Sequence, residues 1–335
     1  MTVERIIRMK EACQAEWMKK PNVVGVGVGL QQVRGKLTNR VCLTVLVSRK
    51  LPAVLLKPED LIPTEVEDVE TDVVETGVLE AYAERSDRLR PMWPGASLGH
   101  YQAWGGTFGA VVRDRTYGTR LMLSTNHALA CANQAKLGDA VVQPAAIDGG
   151  HEKYDRVAHL VRSVPIRFHV DRPQSGLTVK AASAVNKAAA WLRAKGRMVP
   201  TRIDPEAVNL VDAAIARPAD DTTLTEEILE IGAVHEVTPP RLEMKVRKSG
   251  RSTGLTNGLV IVMNALVEVQ YEGGRIARFE DQILTTPMAK PGDSGALLVT
   301  GDDAPEAVGL LFAGSERVTV YNPIQAVLDG LDVDL

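Results

Sequence analysis

The sequence predicts a mainly β domain with one inserted helix, preceded by a small α+β module. Three observations carry this expectation. From Gly105 onward, short β-patterned segments follow one another with Gly, Pro and Asp between them, the pattern of a sandwich or barrel. One segment in their midst, AASAVNKAAAWLRAKGR at 181–197, is alanine-rich with helical periodicity and reads as a helix between strands. The opening stretch instead runs helix, hairpin, further strand. The expected boundaries are 1–90 for the module and 91–335 for the β domain.

Taken in order, residues 1 to about 20 alternate charge with apolar residues at helical spacing and stop before Pro21-Asn22. VVGVGVGLQQVRGKLTNRVCLTVLVSRK then reads as two alternating strands around a turn near Arg34-Gly35-Lys36. A third extended piece is expected from Val66 to Val74. Gly25, Gly27 and Gly29 alternate within a strand that leads to another strand. A dinucleotide fingerprint needs its glycines at a strand-to-helix turn, so these read as glycines on a close-packed strand face. Residues 83–104, rich in charge, Pro and Gly, read as a linker. The strands that follow are TFGAVVRD, RLMLSTNHA, AVVQPA, RVAHLVRSV, NLVDAAIARP, GLVIVMNALVEVQY, FEDQILTT, GALLVT and AVGLLFAG, and a last helix runs from Pro323 to about Gly330.

Composition excludes several function classes. In 335 residues, 45% are hydrophobic and 24% charged, with a net charge of −3 and 4% aromatics. A nucleic-acid surface needs concentrated Lys/Arg and stacking rings, so no nucleic-acid partner is expected. No run of about 18 apolar residues exists to span a membrane, and no membrane partner is expected. The amino terminus lacks the apolar centre and small-residue cleavage site of a secretory signal. Cys13, Cys42 and Cys131 are odd in number and scattered, neither a disulfide framework nor a metal set. A reducing, cytoplasmic setting is expected, with no cofactor and no metal.

The strongest chemical feature is KPGDSGALLV at 290–299. Glycines on both sides of Asp293-Ser294 permit a tight turn that exposes a hydroxyl and gathers backbone N–H groups, and such donors can hold an oxyanion. The same tetrapeptide would also serve as a plain polar turn. A serine hydroxyl needs a base. Of six histidines, His100, His127, His151, His159, His169 and His235, His127 stands out at the end of the apolar strand LMLSTNHALA. The base needs an acid to hold its tautomer. Asp212 in NLVDAAIARP is the first candidate and Asp155 in KYDRVAHL the weaker one.

His127, Asp212 and Ser294, in that chain order and each in a β-rich context, resemble the chymotrypsin-fold serine proteases. STNHALA looks like their Thr-Ala-Ala-His segment, VDAAIA like their Asp-Ile-Ala strand, and PGDSGALLV like their Gly-Asp-Ser-Gly-Gly loop. VRKSGRSTGLTNGLV at 246–260 is similar to a Ser-Gly-Arg-Thr-Thr-Gly stretch of streptogrisin and alpha-lytic-type enzymes. Residues from roughly 95 to 335 resemble bacterial trypsin-like proteins with features of the plant Narrow-leaf type. That resemblance implies two β-barrels with the active site between them, and a Ser-His-Asp endopeptidase acting on protein or peptide through an acyl-enzyme. The oxyanion hole would be the N–H groups of Gly292 and Ser294. Leu311, Phe312, Ala313 and Gly314 would pair with an extended substrate, Met288 would floor the primary pocket, and Lys248 would pair with Asp293 to preform the site.

The chain departs from the family at Ala296, where a second glycine is usual, and in Cys131, which has no partner cysteine near His127. Asp212 also follows His127 by 85 residues, a long interval that the inserted helix fills. The readings left open are a non-catalytic protein-binding module, a self-processing enzyme cut near residues 85–105, and an esterase. For the module, regulatory, inhibitory and oligomerising roles all stay open, as does a homo-oligomer.

Overall fold

A computed structural model describes residues 3–33, 36–77, 85–173, 176–192, 196–220 and 223–335. The chain divides into two compact units, 1–82 and 83–335.

In the first unit, α1 (Val3–Trp17) lies on a sheet of β1 (Val23–Val33), β2 (Lys36–Val47), β3 (Glu65–Val66) and β4 (Val69–Glu75), in the order β1-β2-β4-β3. Ile6, Met9, Cys13 and Trp17 recur at helical spacing and meet Val26 and Val28 of β1 and Leu43, Val45 and Val47 of β2. The two-residue period turns Gly25, Gly27 and Gly29 to the opposite face. There a Cβ on Gly29 would sit 2.7 Å from Thr44 Oγ1 and one on Gly25 3.0 Å from Leu46 Cδ1, while Gly27 has open space. Close packing thus accounts for two of the three glycines. The expected third strand is split by a turn in which Glu67 and Asp68 take φ of 44° and 65°. Of the turn expected near 34–36, Arg34 and Gly35 lie outside the described residues.

The second unit holds two closed barrels. The first is built from β5 (Ser97–His100), β6 (Gly106–Thr107), β7 (Ala110–Asp114), β8 (Arg120–Ser124), β9 (Ala140–Val142), β10 (Arg156–Ser163) and β13 (Ala214–Pro218). Its ladders run β7-β8-β13-β10-β9-β5-β6. The run 106–114 closes the ring: Thr107 pairs with Ser97 and Phe108 N–H donates to Ala96 O, while Gly109 N–H donates to Leu123 O and Ala110 pairs with Leu123. Helical turns α2 (Asn126–Leu129) and α3 (Glu152–Asp155) sit in its loops. Between β10 and β13 come the short strands β11 (Val170–Asp171) and β12 (Arg202–Ile203), which flank α4 (Leu177–Trp191).

The second barrel comprises β14 (Lys245–Gly250), β15 (Gly254–Tyr271), β16 (Arg275–Thr285), β17 (Leu297–Thr300), β18 (Ala307–Gly314) and β19 (Thr319–Pro323). The order β16-β15-β14-β17-β18-β19 is closed by a β16–β19 ladder, which removes both free edges. After it, α5 (Ile324–Leu331) inserts Ile324, Val327, Leu328 and Leu331 among Val112, Leu121 and Ile215 of the first barrel and Leu297, Val299 and Leu310 of the second. The short β20 (Val333–Asp334) then pairs with β7.

Three expectations are corrected. The stretch 85–104 is not a linker. Met92 and Leu98 are core residues, Ser97–His100 is a fully buried barrel strand, and Arg85 Nη1 donates to Ser249 Oγ at 2.6 Å. Gly95, at φ 94°, and Gly105 just after the stretch, at φ 127°, serve barrel turns, while Gly99 lies within β5. A self-cleavage site within 94–100 would therefore lie in packed structure, whereas Asp87, Arg88, Arg90 and Pro91 are exposed. The inserted helix spans 177–191 rather than 181–197, starting after Gly176 at φ 111°. In NLVDAAIARP the strand begins only at Ala214, so Asp212 stands just ahead of it. Among the described residues, no helix is long and apolar enough to cross a membrane.

Candidate active site

His127 enters at the first turn after β8. Asn126 fixes that turn from inside: its Nδ2 donates to Val164 O at 2.7 Å and to Asn133 Oδ1 at 2.9 Å, and Asn133 Nδ2 donates to Ile166 O at 2.7 Å. These bonds hold Cys131, Ala132 and Asn133 at φ of 50°, 50° and 75°. That is a left-handed run which L-residues adopt only when their surroundings impose it.

Asp212 is fully buried, so its charge must be met by donors. Oδ1 accepts the His127 N–H at 3.1 Å, while Oδ2 lies 2.7 Å from His127 Nδ1 and accepts the Tyr271 hydroxyl at 2.7 Å. The Asp212 N–H donates to Asn322 Oδ1 at 3.0 Å, and Asn322 Nδ2 to Gln282 Oε1 at 2.6 Å. Burial pushes the Asp212 carboxyl up, but the facing imidazole and these donors outweigh it and hold it below the usual range. Burial pushes His127 down, and the Asp212 charge and hydrogen bond more than reverse this, leaving the imidazole above its usual value. Tyr271 stays protonated far above the ordinary phenol range, first through burial and then through the Asp212 charge. With Nδ1 turned to Asp212, the proton is held there and Nε2 is left as the basic nitrogen.

Ser294 lies on the loop between β16 and β17. Gly292 and Gly295 take φ of 101° and 98°, and a Cβ on Gly295 would come 2.2 Å from Ser124 Oγ, so glycine is required there. The N–H of Asp293 donates to Lys290 O, that of Gly295 to Leu311 O and that of Ala296 to Asp293 O. Among the described residues, the N–H groups of Gly292 and Ser294 are not spent in this way. From the first barrel, Thr107 N–H donates to Ser294 O at 2.7 Å and Thr107 Oγ1 to Gly292 O at 2.9 Å. Ala296 is fully buried, where a small side chain suffices.

The SGRSTG segment, 249–254, cradles Asp293. Oδ1 accepts Ser252 N–H at 2.7 Å and Thr253 N–H at 3.1 Å, and Oδ2 accepts Lys290 N–H at 3.0 Å and the Thr253 hydroxyl at 2.7 Å. A Cβ on Gly250 would strike Asp293 Oδ1 at 2.5 Å. Lys248 Nζ is 3.3 Å from Asp293 Oδ2, and neither side chain has any solvent exposure. Burial lowers the Lys248 ammonium, with Asp293 opposing it in part. Arg251 pairs with Asp148 and donates its N–H to Thr107 Oγ1 at 3.0 Å.

A cleft of about 580 Å³ is lined by His127, Tyr271, Gly292, Ser294, Phe312 and Gly314, among others. No hydrogen bond joins Ser294 Oγ to the imidazole among the described residues; the two side chains meet as walls of this cleft. The β17–β18 ladder reaches Leu297↔Leu310, and Gly295 N–H to Leu311 O is the next bond along. Beyond it, Ala313 and Gly314 pair with β19 on one edge, with Phe312 at a bulge in that ladder, and 312–314 line the cleft.

Two expected substrate contacts are not brought to the cleft. Leu311 is buried in the second barrel's core, its backbone taken by Gly295 and Ala296. Met288 is 3% exposed, packed against Gly258, with its sulfur 3.7 Å from the Tyr321 hydroxyl. Asp155, the second candidate acid, binds His151 N–H and Arg88 instead. Tyr271 was not singled out from sequence, nor was a second polar array on the cleft wall. In that array Cys131 Sγ is 3.1 Å from His100 Nδ1, and His100 Nε2 is 3.2 Å from Asp139 Oδ2. The Cys131 thiol is pushed up to about 11, first by burial and then by Asp139 and Glu272, so it remains a neutral thiol.

Two closed barrels with this cleft beside Ser294 make a mainly β, chymotrypsin-like fold, with an inserted helix. No protein-family model matches the sequence, and no curated protein matches it. Among solved structures, the chain is similar to a Nocardiopsis protease at 17% identity and a TM-score of 0.46, covering 73% of this chain and 98% of that one. It is also similar to Thermobifida fusca protease A, at 16% identity and a TM-score of 0.44, covering 72% and 97%. An alpha-lytic protease homologue, N4, matches at 19% identity and a TM-score of 0.44 over the same shares.

Proposed function

We propose that this chain is a serine endopeptidase in which His127, Asp212 and Ser294 form the catalytic triad. The observation that carries the reading is the His127–Asp212 pair at 2.7 Å, with its imidazole on the same cleft wall system as Ser294. His127 Nε2 takes the Ser294 proton as Oγ attacks the scissile carbonyl, and then delivers it to the leaving amine. Asp212 stabilises the imidazolium. The N–H groups of Gly292 and Ser294 receive the oxyanion, and water, activated by the same imidazole, hydrolyses the acyl-enzyme. Substrate adds as an extended strand along the open edge of Phe312–Gly314. The cradle of SGRSTG around Asp293 supports the streptogrisin-type likeness, with Lys248 as the internal cation. The free cysteines support a reducing compartment.

The test is a fluorophosphonate probe applied to the parent and Ser294→Ala purified in parallel. Labelling of the parent alone is the expected outcome. Equal labelling of both removes Ser294 as nucleophile, and no labelling of either favours a non-catalytic module. A parent band shortened relative to Ser294→Ala would assign a self-processing role and release of the amino-terminal unit.

A further inference from the structure

The excursion between β11 and β12 leaves a helix face without a partner. The two strands pair with each other at Val170↔Ile203 and Asp171↔Arg202, and Val170 pairs with Ile276 of β16, so they form a stem on the second barrel's long hairpin. On the inner side of α4, Asn186 grips the returning chain: Nδ2 donates to Met198 O at 2.8 Å and Oδ1 accepts Met198 N–H at 2.7 Å. Ala182 is buried on that side. The outer side is apolar. Leu177, Ala181, Val185, Ala188 and Leu192, with Trp191 beside them, recur at three- and four-residue spacing. Leu177 and Trp191 are each 85% exposed, Leu192 70% and Val185 47%. A surface helix normally turns such a stripe inward.

Charge identifies the occupant. Residues 172–203 carry seven lysines and arginines and no aspartate or glutamate, in a chain of net charge −3. Lys180 and Lys187 border one margin of the stripe, about three turns and one turn from Trp191. A second copy laid against this face would bring lysines against lysines. A nucleic acid would use the charges but leave the leucines and valine in water. An anionic bilayer satisfies both: apolar side chains enter the acyl boundary, tryptophan sits at the headgroup level, and lysines reach the phosphates.

We propose that α4 is a peripheral docking helix for anionic lipid, lying on the membrane surface rather than crossing it. The stem would hold the cleft beside that surface, and proteins or peptides at the membrane would be the ones presented to it.

The experiment is flotation of the full chain with phosphatidylcholine vesicles, with and without roughly one-third phosphatidylglycerol. Parent protein should float with the anionic vesicles only and be released by salt. Lys180→Ala with Lys187→Ala should weaken partitioning about 25-fold, from about fivefold per lysine at an anionic surface. Trp191→Glu should abolish it with an unchanged melting curve, since that side chain is exposed. Parent that floats with neither vesicle overturns the proposal, as do variants that float like the parent. Tighter binding to an RNA oligonucleotide than to vesicles overturns it too, as does a parent dimer that Trp191→Glu converts to monomer.

Discussion

Removing one oxygen, in Tyr271→Phe, tests the acid side of the proposed triad. The ring would keep its packing, with centroids 5.6 Å from Phe168 and 6.4 Å from Phe279, so only the bond to Asp212 Oδ2 is lost. A hydrogen bond to a charged group contributes about 1.5–3 kcal/mol. At about 2 kcal/mol the second unit should melt roughly 4–8 °C lower, read by circular dichroism. The pH effect has a definite sign. Deprived of one donor, the carboxylate gains more from a protonated than from a neutral imidazole, so His127 should hold its proton more tightly. In the proposed mechanism His127 is the base in its neutral form, so the acid limb of fluorophosphonate acylation should move to higher pH. The ceiling is about 1.5 pH units, if all of the roughly 2 kcal/mol fell on that equilibrium at 1.36 kcal/mol per unit. A variant that melts with the parent and whose acid limb stays in place, or moves to lower pH, would refute this reasoning.

Two further substitutions test the Ser294 loop. Lys248→Met should destabilise by about 3 kcal/mol, the low end for breaking a buried ion pair, because four other donors still serve Asp293; an unchanged denaturant midpoint would show that the pair carries no stability. Thr107→Val keeps the volume but leaves Gly292 O and Arg251 N–H without Oγ1. Its acylation rate should fall about tenfold, less than the 10²–10³ for losing an oxyanion donor outright, and a parental rate would free the loop's geometry from Thr107.

The candidate site was legible where chemistry is written in short segments. Ser294 announces itself by the glycines around it, and His127 by the strand that ends before it. Tyr271 is 59 residues from Asp212 in sequence. It ends an 18-residue strand whose alternation says nothing about which tip meets the acid, so no local pattern could reveal it. Resemblance implies Met288 and Leu311 as substrate contacts, whereas both are packed in the second barrel's core, Met288 against Gly258 and Tyr321. The fold was legible in its strands because period-two alternation survives in a barrel. It failed at 85–104 because the composition of a tight, glycine-turned barrel entry matches that of an exposed connector. Burial at Met92 and Leu98 depends on partners far along the chain. The alanine-rich helix was recognised by propensity, but its ends are set by Gly176 and by the β11–β12 stem.

Each barrel lends the other one hydroxyl: Thr107 of the first holds Gly292 of the second, and Tyr271 of the second holds Asp212 of the first. Neither half is therefore complete by itself. A chain with a single barrel formed would hold an acid without its third donor, or a serine loop without its outer brace. Competence is then conditional on docking, in the manner of a lock needing two keys. Under the proposed function, a folding intermediate with one barrel formed would also lack either His127, which follows β8, or Ser294, which precedes β17. Any small separation of the barrels would loosen both halves at once.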